Sequence, residues 1–199
     1  MVSTMLLFEE LSKTTVQDYI DQFIAKEGSG EKALQMLFRD YPSNDDVSSV
    51  TVKTIVLDNI YSTRIRKIDL PFVIQHIVDN SNEINQLIKS EKREYKLYSI
   101  IAFIPNKGVN NVYSFATKYL SFIKPELYPI MDSYSRELLK EYHNAYPDII
   151  PKIIGEDDYE SFCMAFDAFH EKLNEITGYA FSTKETDMFI WQYAKQSIK

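Results

Sequence analysis

One cysteine, five glycines, seven prolines and three histidines in 199 residues close off several kinds of chemistry at the outset. The lone thiol, Cys163, can form no internal disulfide, and it excludes a zinc site built on paired cysteines. It sits in ESFCMAFDAFH, an apolar helical face, and is expected in the core. His76, His143 and His170 share no metal-ligand spacing, and neither HIVDN nor FHEKLNE is a paired-histidine zinc motif, so no metal is expected. The phosphate-binding pattern G-x-x-x-x-G-K-[ST] and the nucleophile elbow G-x-S-x-G are both missing. No apolar run approaches the roughly 18 to 20 residues that cross a bilayer. The N-terminal stretch MVSTMLLFEELSK has no basic region ahead of its short apolar patch. A cytoplasmic protein without a membrane partner is expected.

What is abundant is apolar and aromatic surface. With 45% hydrophobic and 14% aromatic residues the chain can bury a substantial core, as one domain or two closely joined lobes. The scarcity of glycine and proline, with apolar residues spaced at three and four, predicts an all-α protein. The periodicity places helices at residues 15 to 27, 30 to 40, 47 to 62, 70 to 78, 81 to 89, 92 to 103, 110 to 123, 133 to 145, 158 to 176 and 183 to 197. Breaks fall at GSG, YPSNDD, IPNKG, KPELYP, YPDIIP and TGYAFS, all rich in turn formers. Strand is at most one short piece near the N-terminus. EDD at 156 to 158 starts the helix that follows it.

The net charge of −7 argues against a nucleic-acid partner, but its distribution does not. Residues 50 to 124 carry 11 Lys and Arg against 6 Asp and Glu, between flanks that carry 4 against 9 and 7 against 14. A basic face on an acidic protein can meet a phosphate backbone, because counterion release depends on local cations. Lys89, Lys92, Arg93 and Lys96 read more simply as the solvated side of a helix.

Inside the basic third, AFIPNKGVNNVYSFATKYLSF describes a helix end, a tight polar turn and a second helix. Backbone N–H groups at such a turn, carried by Lys107, Gly108, Asn110 and Asn111, suit a phosphate. The second helix is expected to bury Phe115, Ala116, Tyr119, Leu120, Phe122 and Ile123, with Ser114, Thr117, Lys118 and Ser121 on the opposite stripe. Lys118 is then either one more solvated lysine or a functional amine. Further on, PELYPIMDSYSRELL sets Asp132 at the start of a new helix, as a plain N-cap or as a carboxylate held at the end of a rigid connection.

This order of helix, polar hairpin, helix, apolar connection and helix-opening Asp resembles the helix-hairpin-helix superfamily of DNA glycosylases. YSFATKYLSFIKPELYPIMDSYSREL is similar to a bacterial group with the 8-oxoguanine DNA glycosylase fold, whose pattern is roughly F-A-[ST]-K, an aromatic, Pro, then P-I-x-D-S. KTIVLDNIYSTRI (53 to 65) and STKETDMFIWQYAK (182 to 195) also look like that group. The resemblance implies two helical lobes around a cleft, with 1 to 49 plus 140 to 199 as one and 50 to 139 as the other. It also implies a monomer acting on DNA. Asp132 would stabilise positive charge developing at the sugar C1′, and Lys118 would attack C1′ and form a Schiff base.

Two departures qualify this. The superfamily's usual Lys position falls near Ser114, one helical turn before Lys118, and the hairpin supplies Gly108 where two glycines are typical. There is no four-cysteine iron–sulfur motif, and no cofactor is expected. A glycosylase must hold a flipped base, and Tyr61 and Trp191, with Asp187 and Gln192 as polar readers, are the candidates. Against these roles, Trp191 reads as core, Asp187 as a partner of Lys184 or a helix cap, and Gln192 as solvated. The function expected is excision of a damaged or modified base. The alternative is a catalytically silent nucleic-acid or protein-binding module.

Overall fold

The computed structural model describes residues 5–105 and 111–197. Every regular element among them is helical, as the composition predicts: a single 3-10 turn, Phe8–Glu10, stands where a short strand was allowed. The α-helices are α1 Lys13–Asp40, α2 Val47–Tyr61, α3 Leu70–Asp79, α4 Ser81–Leu87, α5 Tyr95–Ala102, α6 Tyr113–Ile123, α7 Ser133–Ala145, α8 Tyr159–Thr177 and α9 Thr183–Ser197. No helix among the described residues is long and apolar enough to cross a membrane.

The expected break at GSG is absent, and α1 runs unbroken through it. These glycines serve contact instead of a turn. A Cβ on Gly30 would lie 3.1 Å from Ile60 Cγ2, and one on Gly28 would lie 3.3 Å from Ile24 Cγ2. Room for a neighbouring side chain, which local sequence cannot reveal, explains the glycine at position 30. The helix-terminating glycine is Gly178, left-handed at φ 62° after α8.

The chain divides into two compact units. Unit 1 holds residues up to Gly28 and from Pro129 onward, and unit 2 holds Ser29–Tyr128. The boundaries therefore fall at 28/29 and 128/129, away from the expected 49/50 and 139/140. In unit 1, α7 packs on α8 and α9. Its core is aromatic: Tyr142 meets Phe169 at 4.8 Å, and Phe189 stacks on Tyr193 at 5.7 Å. Phe8, from the 3-10 turn, packs against Tyr142 at 4.9 Å and Tyr146 at 4.8 Å. Cys163 is fully buried there.

In unit 2, α6 packs against both α2 and α5, which is why the expected solvent stripe does not exist. Thr117, Lys118 and Ser121 are as buried as Phe115, Ala116, Tyr119 and Leu120, whereas Phe122 and Ile123 are only half-buried. A helix covered on two sides has no wholly polar face, so amphipathic reading of α6 assigned its lysine to the wrong environment.

Unit 2 also encloses a polar cluster around Lys53. Its Nζ donates to the Ser43 carbonyl (2.8 Å) and to Asn44 Oδ1 (3.0 Å), which also accepts from the Tyr119 hydroxyl (2.7 Å). Asn44 in turn donates to Asn85 Oδ1 (2.9 Å). The ammonium lies 5.4 Å from the centre of the Phe38 ring and 5.3 Å from that of Tyr119.

Candidate functional site

The segment ahead of Asp132 is clamped from three directions within unit 1. Tyr159 donates its hydroxyl proton to the Pro129 carbonyl (2.7 Å), and Ser135 Oγ donates to the Ile130 carbonyl (3.0 Å). Asp187 accepts the Ile130 N–H on both carboxylate oxygens, each at 3.1 Å. Asp187 is thus a buried bracket between α9 and this connection, a role that neither the base-reader nor the capping reading of it contained. Two prolines and these bonds fix the backbone that delivers Asp132.

Asp132 itself is the N-cap of α7. Its Oδ1 accepts the Ser135 N–H at 2.9 Å, and Ser135 Oγ accepts the Asp132 N–H at 2.9 Å, a reciprocal capping box. The cap engages Oδ1 and leaves Oδ2 outside it, on a side chain that is half-exposed. Capping and chemistry are compatible in this geometry.

Unit 2 places a second set of sequence-predicted residues together. Lys118 is 3% exposed, so it is not a solvated surface lysine. Its Nζ donates to Ser114 Oγ at 2.7 Å, one helical turn back, and lies 5.6 Å from the centre of the Tyr61 ring. Tyr61 is the last residue of α2. The chain then turns sharply through left-handed Ser62 and Arg64, and Asp58 Oδ1 holds that turn by accepting from Thr63 Oγ1 (2.5 Å) and the Ile65 N–H (3.2 Å). Behind the phenol stands Glu31 of α1, 4% exposed, which accepts the Tyr61 hydroxyl proton. Glu31 was not singled out in the sequence, where it reads as one acidic residue among exposed neighbours.

The α9 candidates separate. Trp191 is half-buried, edge-on to Phe23 at 5.4 Å and to Tyr134 at 6.1 Å, with Lys195 Nζ 4.1 Å from the ring centre. Gln192 is 1% exposed, which rules out the solvated reading. Neither its Oε1 nor its Nε2 finds a hydrogen-bond partner among the described residues. A buried amide left unmatched costs roughly 1 to 3 kcal/mol. Replacing it by a side chain of similar length without polar atoms, Gln192→Met, is therefore expected to raise the melting temperature by several degrees, measured by circular dichroism. A lower melting temperature would show that the amide is satisfied in solution.

Of the hairpin residues, Lys107, Gly108 and Asn110 lie outside the described residues, and Asn111 is exposed. The basic surplus of the middle third is partly internal, since Lys53 and Lys118 are both buried. Lys89, Lys92 and Lys96 are exposed, and Lys96 pairs with Glu83, but Lys89, Lys92 and Arg93 lie in the connection between α4 and α5 and not on a helix, and the half-buried Arg93 donates to the Leu127 carbonyl.

The histidines are each engaged separately: His76 with the Ile100 carbonyl, His143 with the Ile150 carbonyl, His170 with Thr186 Oγ1. Burial pushes the His170 imidazole below its ordinary range. Among the described residues no group of three or more His, Cys, Asp or Glu is placed to hold a metal ion.

No curated protein and no solved structure matches the chain. A family model does, HI_0787_N, described as an N-terminal domain, and its match ends within a residue of the boundary after Tyr128. That match runs over residues 15–127, more than half of the sequence, and the chain belongs to the HI_0787_N family.

Proposed function

We propose that this protein excises a damaged or modified base from DNA, with Lys118 as the attacking amine and Asp132 as the carboxylate that steadies charge at the sugar. The observation that carries the reading is the meeting of Lys118 and Tyr61 inside unit 2. Both were singled out from the sequence, they come from different helices, and the lysine is buried against an aromatic face. Long cationic side chains ordinarily keep their heads in water, and burial without a function is a cost.

The chemistry would run in two stages. Lys118 nitrogen forms a bond to C1′ as the glycosidic C1′–N bond breaks, its electron pair leaving with the base, which takes one proton from the adduct nitrogen. Opening of the C1′–O4′ bond then gives the C1′=N imine, with the second amine proton passing to O4′. Asp132, as an anion, would favour the positive charge that develops at C1′ and O4′ on the way.

A second reading, a catalytically silent nucleic-acid or protein-binding module, is favoured by the complete capping role of Asp132, which accounts for that residue without any reaction. Borohydride trapping decides between them. Duplex oligonucleotides carrying 8-oxoguanine, uracil, hydroxymethylcytosine or an abasic site are incubated with wild type and with Lys118→Ala. A reduced covalent adduct that vanishes in Lys118→Ala is the expected result. Alkali-labile sites without an adduct would keep the glycosylase and remove Lys118 as nucleophile. Neither product on any of these substrates, from a folded protein, would leave the binding module.

A further inference from the structure

The group behind the Tyr61 phenol has no part in the chemistry described so far. Glu31 is a nearly fully buried carboxylate on α1, and burying such a group is costly unless hydrogen bonds and nearby charge compensate it. Part of that compensation is the Tyr61 hydroxyl, which donates to Glu31 Oε2. The same ring lies 5.6 Å from Lys118 Nζ and meets Phe122 edge-on at 5.9 Å. Carboxylate, phenol and amine thus follow one another across α1, α2 and α6, all inside unit 2.

The order has an electrostatic consequence. A phenol that donates to a carboxylate gains electron density on its oxygen and ring, and a more negative π face holds a nearby cation better. The ring is also fixed in place, since its hydroxyl is tied to α1 while its backbone ends α2. Within unit 2 Ser114 on its own helix and Tyr61 from α2 both stand close to the Lys118 amine, with Glu31 of α1 behind the phenol.

We propose that Glu31 is a positioning residue for Lys118, acting through the Tyr61 phenol: it fixes the ring beside the amine and supports the amine's protonated form. The inference rests on the reading of Lys118 as the reacting amine. Imine formation needs the neutral amine, so the Glu31–Tyr61 pair sets the acidity at which Lys118 becomes a nucleophile.

The test follows Lys118 directly, without DNA. Protein labelled with carbon-13 at lysine Cε is titrated by NMR, the Lys118 signal being identified by its loss in Lys118→Arg. In Glu31→Gln the Lys118 midpoint is expected to fall by about one pH unit, a tenfold shift from ammonium toward amine. Tyr61→Phe keeps the ring and breaks the link to Glu31, so it is expected to lower the midpoint in the same direction. It also preserves the test if Glu31→Gln does not fold. Ser121→Ala, a buried change on the same helix, should leave the midpoint in place, which separates the specific link from general repacking. An unchanged Lys118 midpoint in Glu31→Gln and Tyr61→Phe overturns the proposal. A missing borohydride adduct removes Lys118 as the reacting amine and leaves this titration as it stands.

Discussion

On the proposed glycosylase reading, Asp132→Asn is expected to lower base excision by roughly 10²- to 10³-fold while leaving the melting temperature nearly unchanged. The separation is possible because the cap and the proposed electrostatic role of Asp132 draw on different properties. Capping needs a side-chain oxygen that accepts the Ser135 N–H at 2.9 Å, and an Asn carbonyl oxygen provides one equally well. Stabilising an oxocarbenium-like sugar needs a negative charge, which Asn lacks. Asp132→Ala removes both, so it should lose activity to the same extent and also cost roughly 0.5 to 2 kcal/mol of stability. Single-turnover excision and thermal denaturation, run on the same preparations, measure the two effects independently. Full activity in Asp132→Asn would mean that the residue is a cap and nothing more.

The all-α class was legible because the signals for it are local. Helix α7 begins and ends where the sequence reading placed it, since Asp132 and Ser135 form the start signal themselves. Helix α9 does too: the Ser182 N–H donates to Glu185 (2.7 Å), and Ser182 Oγ accepts the Glu185 N–H in return (3.2 Å). The reading of EDD as a helix start also holds, with Asp158 accepting the Ser161 N–H at 3.0 Å. Each of these interactions spans three residues, so each leaves a signature in sequence order.

What was not legible depends on partners far along the chain. The glycine at position 30 answers to Ile60, and GSG without that knowledge looks like a turn. Glu31 answers to Tyr61, and Lys53 to Asn44, so both read as ordinary charges on amphipathic helices. Helix α6 shows the limit most clearly. Its periodicity identified four of the six residues expected on the buried face, Phe115, Ala116, Tyr119 and Leu120, but could not show that packing of α6 on both α2 and α5 would leave Thr117, Lys118 and Ser121 buried as well. Lys118 and Tyr61 were singled out separately, as a nucleophile and as part of a base pocket, whereas the aromatic contact between them is a property of the folded unit. Asp187 was selected as a reader of a flipped base, and sequence order gave no sign that its carboxylate reaches the backbone at Ile130.

Lys53 carries the largest stability effect expected in the molecule, and its sign follows from burial. The side chain is fully enclosed, and loss of water brings its ammonium down from 10.5 to about 8. Below pH 8 the folded and unfolded chains both hold the proton, and the folded state bears the whole penalty of a buried charge. Between about pH 8 and 10.5 the unfolded chain keeps the proton that the folded chain has released, so stability rises with pH, by about 3 kcal/mol over the full interval. Lys53→Met removes the charge but deprives the Ser43 carbonyl and Asn44 Oδ1 of a donor, a loss of about 1 kcal/mol for each bond. The variant should therefore lie close to wild type at pH 7 and fall behind it by about 2 kcal/mol near pH 9.5. Urea denaturation of both proteins across that range reads the difference, in which titrations common to the two cancel. The range must stop short of pH 10, because burial raises the Tyr119 and Tyr142 phenols above their ordinary value. Ionisation of those two tyrosines in the unfolded chain would then lower stability in both proteins. A wild-type advantage that stays flat from pH 7 to 9.5 would show that Lys53 holds its proton throughout, with Phe38 and Tyr119 compensating the charge that burial exposes to an apolar surround.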